Sequence, residues 1–265
     1  MNTDERNILL KIAYDGSNFC GWQRQPGSRT VCGELETVLS RLCGINIKLD
    51  AVSRTDAGVH ALGQQASFKG VFGLPTDRIA KAVNDALAMD RLQRVGEIAI
   101  IEAKEMPPDF HARYSSKGKR YIYRISDSAE MNVFRRNYCY QVGRPLDVSA
   151  MRKAADFIAG EHDFRCFMAM GSSPQKSTVR KIFEADVRRE DEDIVFSVAG
   201  DGFLYNMVRI ITGTLVETGL GRRSPEDMQK TLASLDRSEA GHTAPPQGLY
   251  LKEVFYTSPP FTART

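Results

Sequence analysis

Hydrophobic and polar positions along the first half of the chain predict alternating strands and helices. The predicted order is a strand at NILLKIAYDG, a helix at VCGELETVLSRLCG, strands at IKLDAVS and QQASFKG, a helix at TDRIAKAVNDALA and a strand at LQRVGEIAIIEA. In the helix segments, apolar residues recur every three or four positions, which places them on one face. The order β-α-β-β-α-β is the ferredoxin-like arrangement.

The second half of the chain repeats this order. Strands are predicted at KRYIYRI, RKIFEADVRR, DIVFSVAG and LYLKEVFY, and helices at VSAMRKAADFIAG, FLYNMVRIITGTLVETG and PEDMQKTLASL. We therefore expect an α+β protein of two ferredoxin-like halves, residues 1–104 and 105–265. A cleft between two such halves is the natural place for a catalytic site.

Cysteine and histidine usage argues against several classes of protein. The five cysteines are spread along the 265 residues without a C-x-x-C pair, and the four histidines form no H-E-x-x-H motif. We therefore expect neither a disulfide framework nor a metal site.

No apolar run reaches the ~18 residues of a membrane span, and the N-terminus lacks a signal-peptide pattern. We expect no membrane association and a cytoplasmic protein.

One basic segment stands out against a net charge of only +3. Residues 110–126, FHARYSSKGKRYIYRIS, contain no acid and five basic residues: Arg113, Lys117, Lys119, Arg120 and Arg124. Three tyrosines are interleaved with them: Tyr114, Tyr121 and Tyr123. Basic residues mixed with aromatic rings suit phosphate contact and base stacking. The same pattern also describes a solvated edge strand whose charges prevent aggregation, and both interpretations stay open.

Asp56 lies in a Thr-Asp-Ala-Gly stretch that is typical of a turn, yet Arg54 stands two residues before it. Arg209 interrupts the apolar helix FLYNMVRIITGTLV, where it either reaches solvent or needs an anionic partner. Asp56 is the best-placed carboxylate for that role. A nearby guanidinium would keep a sheltered aspartate ionised and nucleophilic.

Several common enzyme signatures do not occur in the sequence. It contains no G-x-x-x-x-G-K-[ST], no G-x-G-x-x-G and no G-x-S-x-G motif. A lone aspartate does not fit glycosidases or aspartic proteases, which use paired carboxylates. Asp56 with an arginine and no cofactor indicates a narrower class of reaction.

The stretch SRTDAGVHALGQ resembles the catalytic motif of the TruA family of tRNA pseudouridine synthases. Further family motifs occur in order along almost the whole chain: IAYDGSNFCGWQRQ, DFHARYSSKGKRYIYRI, GEHDFRCF, GDGFLYNMVRIITGTL and APPQGLYL. The resemblance implies the pseudouridine synthase fold and isomerisation of uridine to pseudouridine at positions 38, 39 and 40 of the tRNA anticodon stem-loop. It also implies a homodimer that binds tRNA and uses no metal or organic cofactor.

Carried over residue by residue, the resemblance implies that Asp56 is the nucleophile and Arg209 its ion-pair partner. Arg54 corresponds to the arginine associated with base flipping. Tyr121 corresponds to the tyrosine that stacks on the target base or assists proton transfer, and Leu249 lines the pocket. Whether Asp56 attacks the sugar, attacks the base or removes a sugar proton is left open by the sequence.

Three basic residues complete the expected RNA contacts: Arg113, Lys119 and Arg120. One position departs from the family pattern, because Ser53 stands where a glycine usually precedes Arg-Thr-Asp. Serine adopts a positive φ less readily than glycine, so the local backbone or the choice of target uridine could differ.

Two other functions are weighed against this one. A non-catalytic RNA-binding module built from ferredoxin-like domains has the same strand order and aromatic strands, but it has no use for Arg209 inside an apolar helix. A phosphotransferase with an aspartyl-phosphate intermediate needs further acids for Mg²⁺ beside the nucleophile, and SRTDAGVH contains none.

Overall fold

Strands and helices alternate through both halves of the chain. The computed structural model describes residues 5–89, 96–171 and 177–257. Its strands are β1 (Arg6–Tyr14), β2 (Asp50–Ala51), β3 (His60–Gly70), β4 (Ile98–Met106), β5 (Gly118–Ser126), β6 (Tyr140–Gln141), β7 (Gly160–Asp163), β8 (Val179–Glu190), β9 (Asp193–Gly200) and β10 (Leu249–Phe255). Its α-helices are α1 (Val31–Cys43), α2 (Thr76–Met89), α3 (Val148–Asp156), α4 (Met207–Gly219) and α5 (Asp227–Ser234).

The chain forms two compact units rather than one. The first contains the described residues up to Lys117 together with 251–257, and the second contains those from Gly118 to Tyr250. The sequence placed the division near residue 104, which lies inside β4. Strand β10 contributes its first two residues to the second unit and the rest to the first.

The first unit has the predicted ferredoxin-like order. Strand β1 lies between β3 and β4, β2 pairs with β3, and these three pairings are antiparallel. Helix α1 begins at the N-cap Thr30, whose hydroxyl accepts a hydrogen bond from the Gly33 N–H at 3.3 Å, and ends at Gly44 with φ of 69°. Both caps are the residue types that helix ends favour. The helix buries Leu35 and Leu39, as its apolar spacing predicts.

The second unit is built around an antiparallel sheet in the order β5-β9-β8-β7, with the two-residue strand β6 parallel to β5. Helix α4 is buried along nearly its whole length. It begins at Met207, four residues after the predicted start at Phe203. The short strands β6 and β7 were not predicted, because elements of two and four residues are too short to show a period. None of the helices in the described ranges is long and apolar enough to cross a membrane.

Candidate active site

Asp56 lies in the first unit, in the loop of residues 52–59 between β2 and β3, and its side chain is half-buried. The preceding residue anchors this loop. The Thr55 hydroxyl lies 2.8 Å from the Tyr14 hydroxyl in a buried hydrogen bond. The Thr55 carbonyl accepts a hydrogen bond from the Trp22 N–H at 3.0 Å. The loop closes with the Val59 N–H donating to the Asp56 carbonyl at 3.1 Å.

Two glycines allow residues 14–22 to lie directly against this loop. A Cβ on Gly16 would lie 2.1 Å from the Val59 carbonyl oxygen, and one on Gly21 would lie 2.6 Å from the Thr55 carbonyl oxygen. Gly21 also has a φ of +85°, which other residues rarely adopt. The structure thus brings together two of the sequence motifs, IAYDGSNFCGW and SRTDAGVH, and fixes the backbone on both sides of Asp56.

His60 supports the loop instead of facing a nucleophile. Its side chain is 2% exposed, and its Nδ1 lies 3.0 Å from the Gly16 nitrogen and 3.2 Å from Asp15 Oδ1. At the other end of the loop, the Gln64 amide donates to the Ser53 carbonyl at 2.7 Å. Ser53 is not among the non-glycine residues with positive φ. The serine therefore fits this backbone without left-handed strain.

The residues that flank Thr55 have different environments. Arg54 is exposed and Asp56 is half-buried, while Thr55 between them is 7% exposed. This alternation is that of an extended chain, in which successive side chains point to opposite sides. The Arg54 guanidinium is consequently accessible to a ligand from solvent.

Arg209 lies in the second unit on α4 and is half-buried among buried neighbours. Its Nε donates to the Ala244 carbonyl at 2.8 Å, and its Nη1 donates to Asn206 Oδ1 at 2.9 Å. The Ala244 N–H in turn donates to the Arg209 carbonyl at 3.1 Å. The guanidinium is thus oriented by specific acceptors and does not extend along a polar surface.

The segment 240–245 carries Ala244 and packs closely against α4. A Cβ on Gly213 would lie 1.8 Å from the His242 carbonyl oxygen. The Gly241 N–H donates to the Thr214 hydroxyl at 2.9 Å, and the Glu217 carboxylate lies 3.1 Å from His242 Nδ1. Burial raises the pKa of Glu217, but hydrogen bonds from Arg223 and His242 outweigh that effect and leave it below its ordinary value.

The two candidate tyrosines of β5 are both buried. Tyr121 is 6% exposed and packs edge to face against Phe203, with ring centroids 5.1 Å apart. Tyr123 is fully buried and donates its hydroxyl hydrogen to the Pro245 carbonyl. Burial raises the pKa of Tyr123 well above its ordinary value, while the Arg209 charge acts in the opposite direction. Leu249, at the start of β10, is 6% exposed.

The basic residues of the segment 110–126 are not equivalent. Arg113 is exposed in the first unit. Lys119 is half-buried in the second unit. Arg120 donates to Glu184 and to the Ser197 hydroxyl, both at 3.0 Å. Arg120 therefore already has an acidic partner within its own unit, and the exposed Arg113 is the better placed of these two for phosphate contact.

Asn206 is not among the site residues that the sequence predicts. Its φ of +60° and its hydrogen bond to Arg209 become visible only in the folded chain. One signal was present, since Asn206 stands three residues before Arg209, a spacing that brings side chains together at a helix start. Among the described residues, no cluster of three or more histidine, cysteine, aspartate or glutamate side chains could hold a metal ion.

Comparison with known proteins finds a matching family model and close relatives over most of the chain. A family model described as tRNA pseudouridine synthase matches residues 11–115 and 154–257. The chain is 49% identical over 245 residues to tRNA pseudouridine synthase A of Halalkalibacterium halodurans, covering 92% of this chain and 90% of that protein. It is 45% identical over 251 residues to tRNA pseudouridine synthase A of Acetivibrio thermocellus, covering 95% of this chain and all of that protein.

Among solved structures, the crystal structure of a Cbf5-Nop10-Gar1 complex aligns with 78% of this chain and 54% of that chain. The TM-score is 0.34 and the sequence identity is 12%. This likeness is too loose to inform the architecture of the chain. The likeness of this chain to known proteins is therefore shown by the relatives and by the family model. The two ranges that the family model matches include Asp56 and Arg209.

Proposed function

The chain belongs to the tRNA pseudouridine synthase family, an isomerase family acting on tRNA, and we propose that Asp56 is the nucleophile with which it converts uridine to pseudouridine. The reaction breaks the bond between N1 of the base and C1′ of the ribose and forms one between C5 and C1′. A proton leaves C5 and N1 gains one, so no other reactant is consumed. A target uridine in a stem must first leave the base stack.

The observation that carries this proposal is how firmly the backbone beside Asp56 is held. Hydrogen bonds and close glycine contacts from residues 14–22 fix Thr55 and Val59. Catalysis depends on a reactive group being held in place before the substrate arrives. An ordinary surface turn would not need this support on both sides.

We propose Arg209 as the ion-pair partner of Asp56. Its guanidinium is supported by two neutral acceptors, Asn206 and the Ala244 carbonyl, which orient it without cancelling its charge. A guanidinium near a sheltered carboxylate favours the ionised, nucleophilic form. The proposal is supported by this orientation and by the family motif GDGFLYNMVRIITGTL.

Three further residues complete the proposed site. We propose that Arg54, which is exposed, assists base flipping. Tyr121 is proposed to stack on the target base or assist proton transfer, and Leu249 to line the pocket. The edge-to-face packing of Tyr121 on Phe203 supports a fixed ring orientation, which stacking requires.

We propose that Arg113, Lys119 and Arg120 contribute to tRNA contact, with Arg113 the strongest of them. The plot of log affinity against log salt has a negative slope, and each phosphate contact that is lost should make it shallower by about 1. Arg113→Ala should therefore weaken tRNA binding and flatten this slope at unchanged stability. Arg120→Ala should mainly lower stability, because Glu184 loses its partner. Filter binding over a salt series and urea unfolding distinguish the two effects, and an unchanged slope in Arg113→Ala contradicts its role.

The finer substrate positions and the assembly state are also proposals. We propose that the modified uridines are at positions 38, 39 and 40 of the anticodon stem-loop and that the chain forms a homodimer. Chemical mapping of pseudouridine in tRNA incubated with the protein tests the positions. Sedimentation equilibrium tests the dimer, and a monomeric mass at micromolar concentration contradicts it.

The experiment that tests the central proposal is Asp56→Asn. We expect pseudouridine formation to fall by at least ~10³-fold, as loss of a nucleophile does elsewhere, with tRNA affinity and unfolding free energy little changed. Asp50→Asn, an exposed aspartate on β2 in the same segment, is the matched control and should retain full activity. Normal product from Asp56→Asn would overturn the nucleophile assignment.

A further inference from the structure

Asn206 occupies an uncommon backbone conformation immediately before α4. Its φ of 60° and ψ of 6° lie in the left-handed region. Among residues with a side chain, asparagine and aspartate enter this region most readily, and others incur a steric penalty of roughly 1–2 kcal/mol. A strained residue at the start of the helix that bears Arg209 calls for a physical reason.

The side chain of Asn206 does not perform the usual task of an asparagine at this position. At a helix N-cap the side-chain oxygen normally accepts a hydrogen bond from an N–H of the first turn. Asn206 makes no such bond. Its Oδ1 instead accepts from Arg209 Nη1 at 2.9 Å, while its backbone carbonyl accepts from the Ile210 N–H at 3.0 Å. The left-handed backbone thus coincides with an amide directed at the guanidinium.

A second acceptor helps to fix the orientation of the Arg209 guanidinium. The Ala244 carbonyl accepts from Arg209 Nε at 2.8 Å. Nε and Nη1 are separate nitrogens of one rigid plane, so two acceptors at these positions restrict rotation of the whole group. Removing the Asn206 amide takes away the acceptor at Nη1 and loosens the orientation that the two acceptors together give the guanidinium.

We propose that Asn206 is a positioning residue, which sets the orientation of the Arg209 guanidinium through a neutral contact. The inference rests on the role proposed for Arg209. The neutrality of the amide is essential. An aspartate at 206 has the same shape, tolerates the left-handed backbone and accepts the same hydrogen bond. Its negative charge would pair with Arg209 and weaken the attraction of the guanidinium for another anion.

Two substitutions separate positioning from stability. Asn206→Gly keeps the left-handed backbone, because glycine adopts it freely, and removes only the amide. We expect kcat for pseudouridine formation to fall about tenfold, as a small misplacement of a catalytic group can do, with KM changed by less than about twofold. Asn206→Asp should keep or raise stability and still lower kcat by a similar factor.

Asp191→Gly is the matched control. Asp191 has a φ of 51° in the exposed turn between β8 and β9, so the change removes a comparable side chain from a comparable backbone. We expect unchanged kcat. In an Arg209→Ala background, Asn206→Gly should change kcat by less than about twofold, because residues acting through one group are not additive.

Each outcome decides one point. If Arg209→Ala is impaired while Asn206→Gly and Asn206→Asp keep the kcat of the unsubstituted protein, the positioning inference is wrong and the role of Arg209 stands. If Arg209→Ala keeps full activity, both the proposed role of Arg209 and the inference that rests on it are wrong. If Asn206→Asp restores the kcat lost in Asn206→Gly, the contact is structural and the requirement for a neutral acceptor is refuted.

Discussion

The Asp56 loop of the first unit and Arg209 of the second unit are held in place by different kinds of contact. The loop is held mainly through its backbone, by the Trp22 N–H on the Thr55 carbonyl and by the close approach of Gly16 and Gly21. Arg209 is held through its own side chain, by the Asn206 amide and the Ala244 carbonyl. The position of the Asp56 carboxylate thus depends on the path of the backbone. The orientation of the Arg209 guanidinium depends on the hydrogen-bond acceptors around it.

Both arrangements nevertheless rely on glycine at a point where two chain segments touch. Gly16 serves the Asp56 loop, and Gly213 serves the segment 240–245 that carries Ala244. The two contacts differ in the group that they position. In the first unit the touching backbone is part of the loop that bears the carboxylate, whereas in the second it carries an acceptor for the charged side chain.

The largest expected effect comes from adding a methyl group at these glycines. Gly16→Ala and Gly213→Ala would place Cβ 2.1 Å and 1.8 Å from carbonyl oxygens, so the opposite segment must move. We expect each variant to lose about 1–3 kcal/mol of unfolding free energy, as overpacking does. We expect activity to fall at least ~10-fold as the site is displaced. Urea unfolding and single-turnover kinetics measure both effects.

Gly73→Ala is the control for this pair, because a Cβ there meets nothing within 4 Å. It should leave activity and stability close to those of the unsubstituted protein. Full activity in Gly16→Ala would show that the Asp56 loop tolerates displacement. It would contradict the claim that the Asp56 carboxylate is positioned through the backbone of its loop.

A smaller effect is expected from the hydrogen bond between the Tyr14 and Thr55 side chains, which anchors the Asp56 loop. Tyr14→Phe removes the hydroxyl that pairs with Thr55 and should cost about 1 kcal/mol of stability. We expect activity to fall a few-fold. Tyr256→Phe is the matched control in the same unit, since its hydroxyl donates to the Ala112 carbonyl at 3.1 Å, outside the loop. An equal loss of activity in both variants would argue against a specific role of Tyr14.

The smallest expected effect is a pH dependence of stability in the second unit. The pKa of Glu217 is below its ordinary value of 4.5, so its ionised form is favoured in the folded state. Its contribution to stability is therefore present above pH ~5 and is lost as pH falls through the lowered pKa. Glu217→Gln should reduce unfolding free energy by at most ~1 kcal/mol at pH 7.

That difference should shrink as the pH falls through the lowered pKa of Glu217, because the carboxylate of the unsubstituted protein then becomes protonated. Glu130→Gln, at an exposed position of the same unit, is the control and should show little difference at either pH. Urea unfolding at pH 7 and pH 3.5 measures both. A difference for Glu217→Gln that stays constant with pH would show that its hydrogen bonds matter and its charge does not.

The periodicity of the sequence predicted the first unit and most of the second. Helix α1 buries the face that the spacing of Leu35 and Leu39 indicates, and the β-α-β-β-α-β order of the first half is confirmed. The start of α4 was predicted at Phe203 instead of Met207, because Phe203, Leu204 and Tyr205 continue the apolar run. The left-handed backbone of Asn206 prevents α4 from starting before Met207, and hydrophobic spacing carries no signal of that conformation.

The sequence by itself determined the fold class, the family and the candidate residues Asp56, Arg54 and Arg209, since burial periodicity and reactive side chains are local properties of the chain. Only the tertiary structure decided how the candidates are held. Residues 14–22, at the end of β1 and just after it, reach the Asp56 loop, and Ala244 reaches Arg209 from 35 positions along the chain. Such contacts depend on which glycines lie opposite which carbonyls, and that pairing exists only once the chain is packed.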